Sequence, residues 1–289
     1  MMTVGAGKIG STPNRAAGLR NEIFLRSWPL DEEIREIAAS VPSHGFLANP
    51  SGQYAFIYLT QFVKAFSESH FDRPFSELRI LDWGCGKGQV SKLMLDLGPS
   101  HLDSCDILSD HPDSAFGQDV PIIRCFNINV RPLQHEYVLP YESELLDVVL
   151  SVGVLEHVSN EQASLLEISR VLKPGGLFFC FFLPTRCSWT QQVSRWQGVN
   201  YHDRLYTRVH VNEMLRSAGF KLIDVWYRQL LPKNSVRYPN FRFFEKFDLL
   251  MTERTPLRYL ATNIEFVSSK ASPGCGEASS SRQRGSAQL

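Results

Sequence analysis

The chain has 289 residues, 43% hydrophobic, 11% aromatic and 21% charged, an ordinary globular composition that excludes a wholly disordered chain, collagen and a coiled coil. Thirty Lys+Arg balance thirty Asp+Glu, so no overall positive field would hold a polyanion, and a nucleic-acid partner is not expected. Length alone leaves one or two domains open.

Residues 1–20 and 271–289 are rich in Gly, Ser, Ala and Arg and read as disordered ends. Residues 21–77 are expected to form an N-terminal helical cap, with helices near 31–40 and 53–67; in the second, Phe56, Leu59, Phe62, Val63 and Phe66 recur at helical spacing. From Glu77 onward short apolar runs alternate with amphipathic segments. Strands are expected at 79–82, 102–106, 121–126, 147–151, 176–182, 221–227 and 262–268, with helices at 88–97, near Pro112, at 161–172 and at 209–218. Such alternation, with nearly continuous apolar strands, predicts an α/β fold: a doubly wound, mostly parallel sheet covered on both faces. Residues 78–270 would form one domain, with an insertion at 228–259.

The most informative stretch runs from Ile80 to Val90, where a buried strand leads through Gly84, Gly86 and Gly88 into a helix. In a doubly wound sheet this turn lies at the switch point where ligands bind. Glycines let the backbone approach a ligand closely, and the helix start offers free N–H groups. The dinucleotide fingerprint is GxGxxG, but these glycines are spaced two and two, with Asp82 two positions before the first. That favours a cofactor with no pyrophosphate and with an amino cation for Asp82 to hold. Asp106, 18 positions after Gly88 at the end of the next strand, suits the two hydroxyls of an adenosine ribose.

On DWGCGKG (82–88), Asp106, LPYESELLDVVLSVGVLEHV (139–158) and VLKPGGLFF (171–179), the chain resembles the class I S-adenosylmethionine-dependent methyltransferases, closely over 78–182 and more loosely to 270. The resemblance implies a Rossmann-like seven-stranded sheet with its last strand antiparallel, S-adenosylmethionine as cofactor, and a site above the carboxyl ends of the strands. By position, Gly84, Cys85, Gly86 and Gly88 would line the methionine half with Asp82 near the amino group. Asp106 would hold the ribose, Ile107 would touch adenine, and Ser151 and Val152 would close the site from the fourth strand. No acid follows the expected third strand, leaving Asn127 or Asn129 for the adenine amino group.

Methyl transfer from a sulfonium needs positioning, desolvation and a base where the nucleophile carries a proton. His157 is one candidate and His202 the second. Ubiquinone-pathway and small-RNA methyltransferases resemble this Glu156-His157 pair but carry another Glu three positions earlier and use the set for a divalent metal; Gly153 stands there in this chain, so no metal is expected. The Asn/Asp-Pro-Pro-aromatic turn of base-methylating enzymes and the paired glutamates of arginine methyltransferases are both missing.

After the fifth strand, Trp189, Trp196, Tyr201, His202, Arg204 and Tyr206 would overhang the cofactor and meet the acceptor, with single-residue packing as the competing reading. In the insertion, Phe243, Phe247, Leu250 and Met251 share a helical face with Phe244. Packing against the N-terminal helices is favoured for it over a lid or a membrane-surface helix carrying Arg242 and Lys246.

The expected function is methyl transfer to O, N or C of a small or medium organic acceptor, free, lipid-linked or glycan-linked. The alternatives are a silent cofactor-binding relative and, behind it, an NAD-dependent dehydrogenase. Six cysteines without CxxC pairs read as reduced thiols. With no apolar run near membrane length, a cytoplasmic protein is expected, with peripheral membrane contact left open.

Overall fold

The computed structural model describes residues 13–25, 50–109, 114–117, 121–199, 202, 204–232, 236 and 238–272. Seven strands form one sheet in the order β3-β2-β1-β4-β5-β7-β6. They are β1 (Arg79–Trp83), β2 (His101–Ile107), β3 (Val130–Leu133), β4 (Leu146–Val152), β5 (Leu172–Pro184), β6 (Phe220–Arg228) and β7 (Asn263–Lys270). The pairs β1·β2, β2·β3, β1·β4 and β4·β5 are parallel, while β7 runs antiparallel between β5 and β6. The strand reversal flanking β1 opens a crevice at the carboxyl ends of β1 and β4.

The helices are α1 (Pro13–Leu25), α2 (Pro50–Phe71), α3 (Gln89–Asp96), α4 (Pro121–Cys125), α5 (Glu161–Val171), α6 (Trp189–Trp196), α7 (Arg208–Ser217) and α8 (Phe241–Arg254). One face of the sheet is covered by α2, whose Phe62 and Phe66 meet Phe179 edge-on while Phe62 also meets Trp226. Leu165, Ile168, Val211 and Leu215 of α5 and α7 belong to the core of the opposite face, with Phe178 and Phe266. Caps mark the helix starts as the sequence allows. Asn160 accepts from the Ala163 N–H, and Thr207 from that of His210.

Three expectations are corrected. Residues 121–126, read as the third strand, form α4 over Pro121–Cys125 instead, and β3 follows it at Val130–Leu133. An apolar run as short as Ile122-Ile123 has no period that separates strand from helix, and a leading proline suits a helix start because its missing N–H would be an orphan there. Second, residues 13–20 are not loose: α1 buries Ala16 and Arg20. Third, α8 does meet the N-terminal helices, through Phe241 against Tyr54 and Glu253 on Arg20, but not by the expected face: Phe243, Phe247 and Leu250 are exposed. The helices expected at 31–40 and near Pro112 lie outside the described residues. No helix among the described residues is long and apolar enough to cross a membrane.

Candidate functional site

At the end of β1 the chain folds back on β2: the N–H groups of Gly84 and Cys85 both donate to the Cys105 carbonyl, at 2.9 and 3.0 Å. Gly84 has φ +73°, and a Cβ there would lie 2.5 Å from Cγ2 of Val154. The loop after β4 therefore rests directly on the glycine loop. Gly88, φ +85°, caps α3, and a Cβ on it would stand 2.8 Å from Ile123. Two of the spaced glycines thus hold left-handed backbone under close cover, which a side chain would break.

Asp82 is buried beneath this loop. Its Oδ2 accepts from the Ser91 hydroxyl at 2.6 Å, and Ser104 donates to Ser91 at 3.0 Å. Burial pushes the carboxyl up to about 7, against the opposing pull of the Ser91 hydrogen bonds. Asp106 sits at the carboxyl end of β2, accepting the N–H of Ile107 at 2.8 Å and of Ala115 at 2.7 Å. Burial raises its carboxyl as well, moderated by the N–H groups of Ala115, Ile107 and Gly86. Cys85 is buried, and burial holds its thiol well above the usual range, so it is an inert part of the wall. Ile107 is 38% exposed beside Asp106. Ser151 is fully buried between Trp83 of β1 and Cys180 of β5, and Val152 follows it, half-buried.

Asn127 and Asn129 are exposed and precede β3, whereas the site lies at the strands' carboxyl ends. This corrects the expectation that they follow the third strand. Past Leu133 the chain reads Gln134-His135-Glu136. Glu136 is turned inward, accepting the N–H groups of Ser159 and Asn160, and hydrogen bonds from Ser159 and Asn160 hold its carboxyl low despite burial. It anchors the loop between β4 and α5, a role its place in the sequence does not announce.

Above that loop, Glu156, His157 and His202 come together with one ligand-type atom each, all within 4.8 Å of one another. Glu156 Oε1 is 3.8 Å from His157 Nε2, and the two imidazole rings lie 5.6 Å apart. Burial lifts the Glu156 carboxyl to about 8. Gly153 lies against this cluster, where a Cβ would be 3.8 Å from Glu156 Oε1. The absent carboxylate at 153 counted against a metal in the sequence; the fold supplies His202 as a third donor instead.

The aromatic segment after β5 does not converge as a set. Trp189 Nε1 donates to the Leu230 carbonyl at 2.6 Å, tying α6 to the chain beyond β6. Tyr206 is buried against the Leu155 carbonyl, Trp196 is 89% exposed, and Arg204 donates to the Ser159 carbonyl. Tyr201 lies outside the described residues. Sequence reasoning missed Phe182 and Gln229, which hold φ +63° and +64° at the carboxyl ends of β5 and β6. Left-handed backbone at non-glycine residues concentrates at functional sites, and here Phe182 meets Phe56 of α2 edge-on at 5.7 Å.

A family model described as a methyltransferase domain matches residues 52–225. The ubiquinone biosynthesis O-methyltransferase of Cereibacter sphaeroides (strain ATCC 17029) is 30% identical over 188 residues, covering 58% of this chain and 70% of that protein. The protein of the same name from Maricaulis maris is 36% identical over 109 residues, 38% of this chain and 42% of that one. Among solved structures, a protein described provisionally as a sarcosine dimethylglycine methyltransferase from Galdieria sulphuraria has a TM-score of 0.52 at 12% identity, covering 83% of this chain and 99% of that one, a likeness of fold.

Proposed function

We infer the reaction from one premise: the chain belongs to the class I S-adenosylmethionine-dependent methyltransferases, whose domain match takes in residues 52–225. It is an enzyme, S-adenosylmethionine is its cofactor, and its acceptor is a small molecule. The residues present fit the cofactor: Gly84 and Gly88 keep a cradle that a Cβ would obstruct, and buried Asp82 and Asp106 border it. When bound, the cofactor supplies a methyl group on a sulfonium whose departure needs no acid.

Asp82 receives the amino cation, Asp106 the ribose hydroxyls, and Ile107 packs on the adenine. Gly84, Cys85, Gly86 and Gly88 shape the methionine half, while Ser151 and Val152 hold β4 in register behind it. The acceptor atom is an oxygen, and His157 removes its proton. The contact of Val154 with the glycine loop carries this assignment, because Glu156 and His157 follow two and three residues after a side chain that lies on that loop. An imidazolium formed on His157 would draw the buried Glu156 towards its ionised form, the carboxyl proton passing to solvent, so that the acceptor's proton is held on His157 beside a carboxylate. Residues 78–270 form the catalytic unit, with α1 and α2 built into the same core as a fixed wall.

His157→Ala is expected to lower kcat about 10²–10⁴-fold with little change in cofactor affinity, read by single-turnover transfer from labelled S-adenosylmethionine beside calorimetry. Unchanged turnover would remove His157 as the base. The donor trio supports a second reading, in which Glu156, His157 and His202 would hold a divalent cation and the cation would supply Lewis acidity; two imidazoles and one carboxylate suit zinc better than magnesium. Equilibrium dialysis with each metal separates the readings, since only the second requires retention that is lost in His202→Ala.

Asp82 adds a dependence on pH. Its folded-state value of about 7 lies above the 3.8 of a free aspartate, so between those limits the ligand-free folded protein binds more protons than the unfolded chain and loses stability as pH rises. Binding an amino cation favours the ionised form. Affinity for S-adenosylmethionine is therefore expected to rise about tenfold from pH 6 to pH 8, and Asp82→Asn to bind weakly at both. A flat calorimetric profile in the unaltered protein would contradict this role for Asp82.

A further inference from the structure

Helix α8 is turned inside out. Glu245, Asp248 and Thr252 form its buried side, 3%, 2% and 4% exposed, while Phe243, Phe247 and Leu250 on the opposite side are 60%, 41% and 52% exposed. A surface helix ordinarily turns its apolar stripe inward. The inversion has a local cause: Asp248 accepts the N–H groups of Gln229 and Leu231 at 3.2 and 2.8 Å, satisfying the backbone where β6 ends in left-handed Gln229. Glu253 is engaged by Arg20 at 2.6 Å. All three acids of α8 are thereby committed to the protein, and its three bases, Arg242, Lys246 and Arg254, are exposed. The 3-10 turn that follows continues the pattern, with Leu257, Tyr259 and Leu260 at 44%, 53% and 41% exposure.

We propose that this face docks on an anionic lipid bilayer. The helix lies in the plane of the interface, Phe243, Phe247 and Leu250 among the acyl chains and Lys246 and Arg254 at the headgroup phosphates. Charge complementarity selects this occupant. The outer side carries only positive charge in a chain whose Lys+Arg and Asp+Glu balance at thirty each, whereas the centre of a protein–protein interface is depleted of lysine and other charges. Fourteen residues reach about 21 Å, enough to lie flat and too short to span. The insertion leaves the carboxyl end of β6, the edge that holds the glycine loop, so docking turns the catalytic edge towards lipid. That last consequence, access for an acceptor with an apolar tail, rests on the reaction proposed above; the docking does not.

The test is sedimentation of the full chain with vesicles of phosphatidylcholine alone or mixed with phosphatidylglycerol. The unaltered protein is expected to pellet with the anionic vesicles and to be released as salt rises. Lys246→Gln and Arg254→Gln should each weaken binding about fivefold, and Phe243→Ser with Phe247→Ser at least tenfold, all with unchanged melting temperature because these side chains are exposed. Failure to bind anionic vesicles, or equal binding by all variants, overturns the proposal. So does a concentration-dependent dimer in sedimentation velocity that the Phe243→Ser/Phe247→Ser protein loses, which would make a second copy the occupant. Methyl transfer to a water-soluble acceptor should be the same in all variants, so loss of docking is distinguishable from failure of the reaction assignment.

Discussion

Gly84→Ala is expected to raise the dissociation constant for S-adenosylmethionine about 30–5000-fold, read by calorimetry on protein whose fold is checked by circular dichroism. An alanine at φ +73° carries a cost of about 1–2 kcal/mol. Its Cβ would also stand 2.5 and 2.6 Å from the two Val154 methyls, an overpacking that costs about 1–3 kcal/mol. The loop cannot slide away cheaply, because the Gly84 and Cys85 N–H groups share the Cys105 carbonyl. Val154→Ala in the same protein should recover the steric part and leave the backbone part, so the double variant falls between the two. Affinity in Gly84→Ala equal to that of the unaltered protein would place the cofactor elsewhere.

Arg20→Met is expected to destabilise the fold by about 3–5 kcal/mol, the cost of stripping one partner from a buried ion cluster, which for a domain of this size lowers the melting temperature by about 6–20 °C. Arg20 is 3% exposed. Its two terminal nitrogens each reach a different acid, Asp224 of β6 and Glu253 of α8, both at 2.6 Å, and its guanidinium lies 4.7 Å over the Trp226 ring. One side chain thus fastens the amino-terminal helix, the sheet and the insertion. Arg20→Lys should not rescue, since a single ammonium cannot present the same fork. Arg20→Met combined with Asp224→Asn and Glu253→Gln should recover part of the loss. A melting temperature within a degree of the original would mean that α1 does not contribute to the fold.

The parts of this molecule that were legible in its sequence are those set by local rules. The glycines at 84 and 88 could be read because left-handed backbone admits few other residues, and Asp106 because a strand's length fixes where the next loop begins. The third strand was not legible: Ile122-Ile123 satisfies either period, and α4 forms because those side chains cover Gly88, a contact between segments far apart in sequence. Periodicity located α8 and its two sides but not which side is buried. That was decided by the unsatisfied N–H groups beyond β6, and a demand from another segment leaves no mark on the helix itself. His157 and His202 were each visible, while their meeting depends on how the segment after β5 returns over β4.

The slot filled by β7 also governs how the molecule can be made. Because β7 lies between β5 and β6, neither neighbour has its partner until the final strand has been synthesised, some 80 residues after β5. At about 5–20 residues per second, a nascent chain carries an open β5 edge, lined by Phe178, Phe179 and Phe181, for several seconds. An unpaired apolar edge of that kind is a template for intermolecular pairing. The topology that places the site therefore puts the emerging polypeptide's greatest aggregation hazard in the interval between the synthesis of β5 and that of β7.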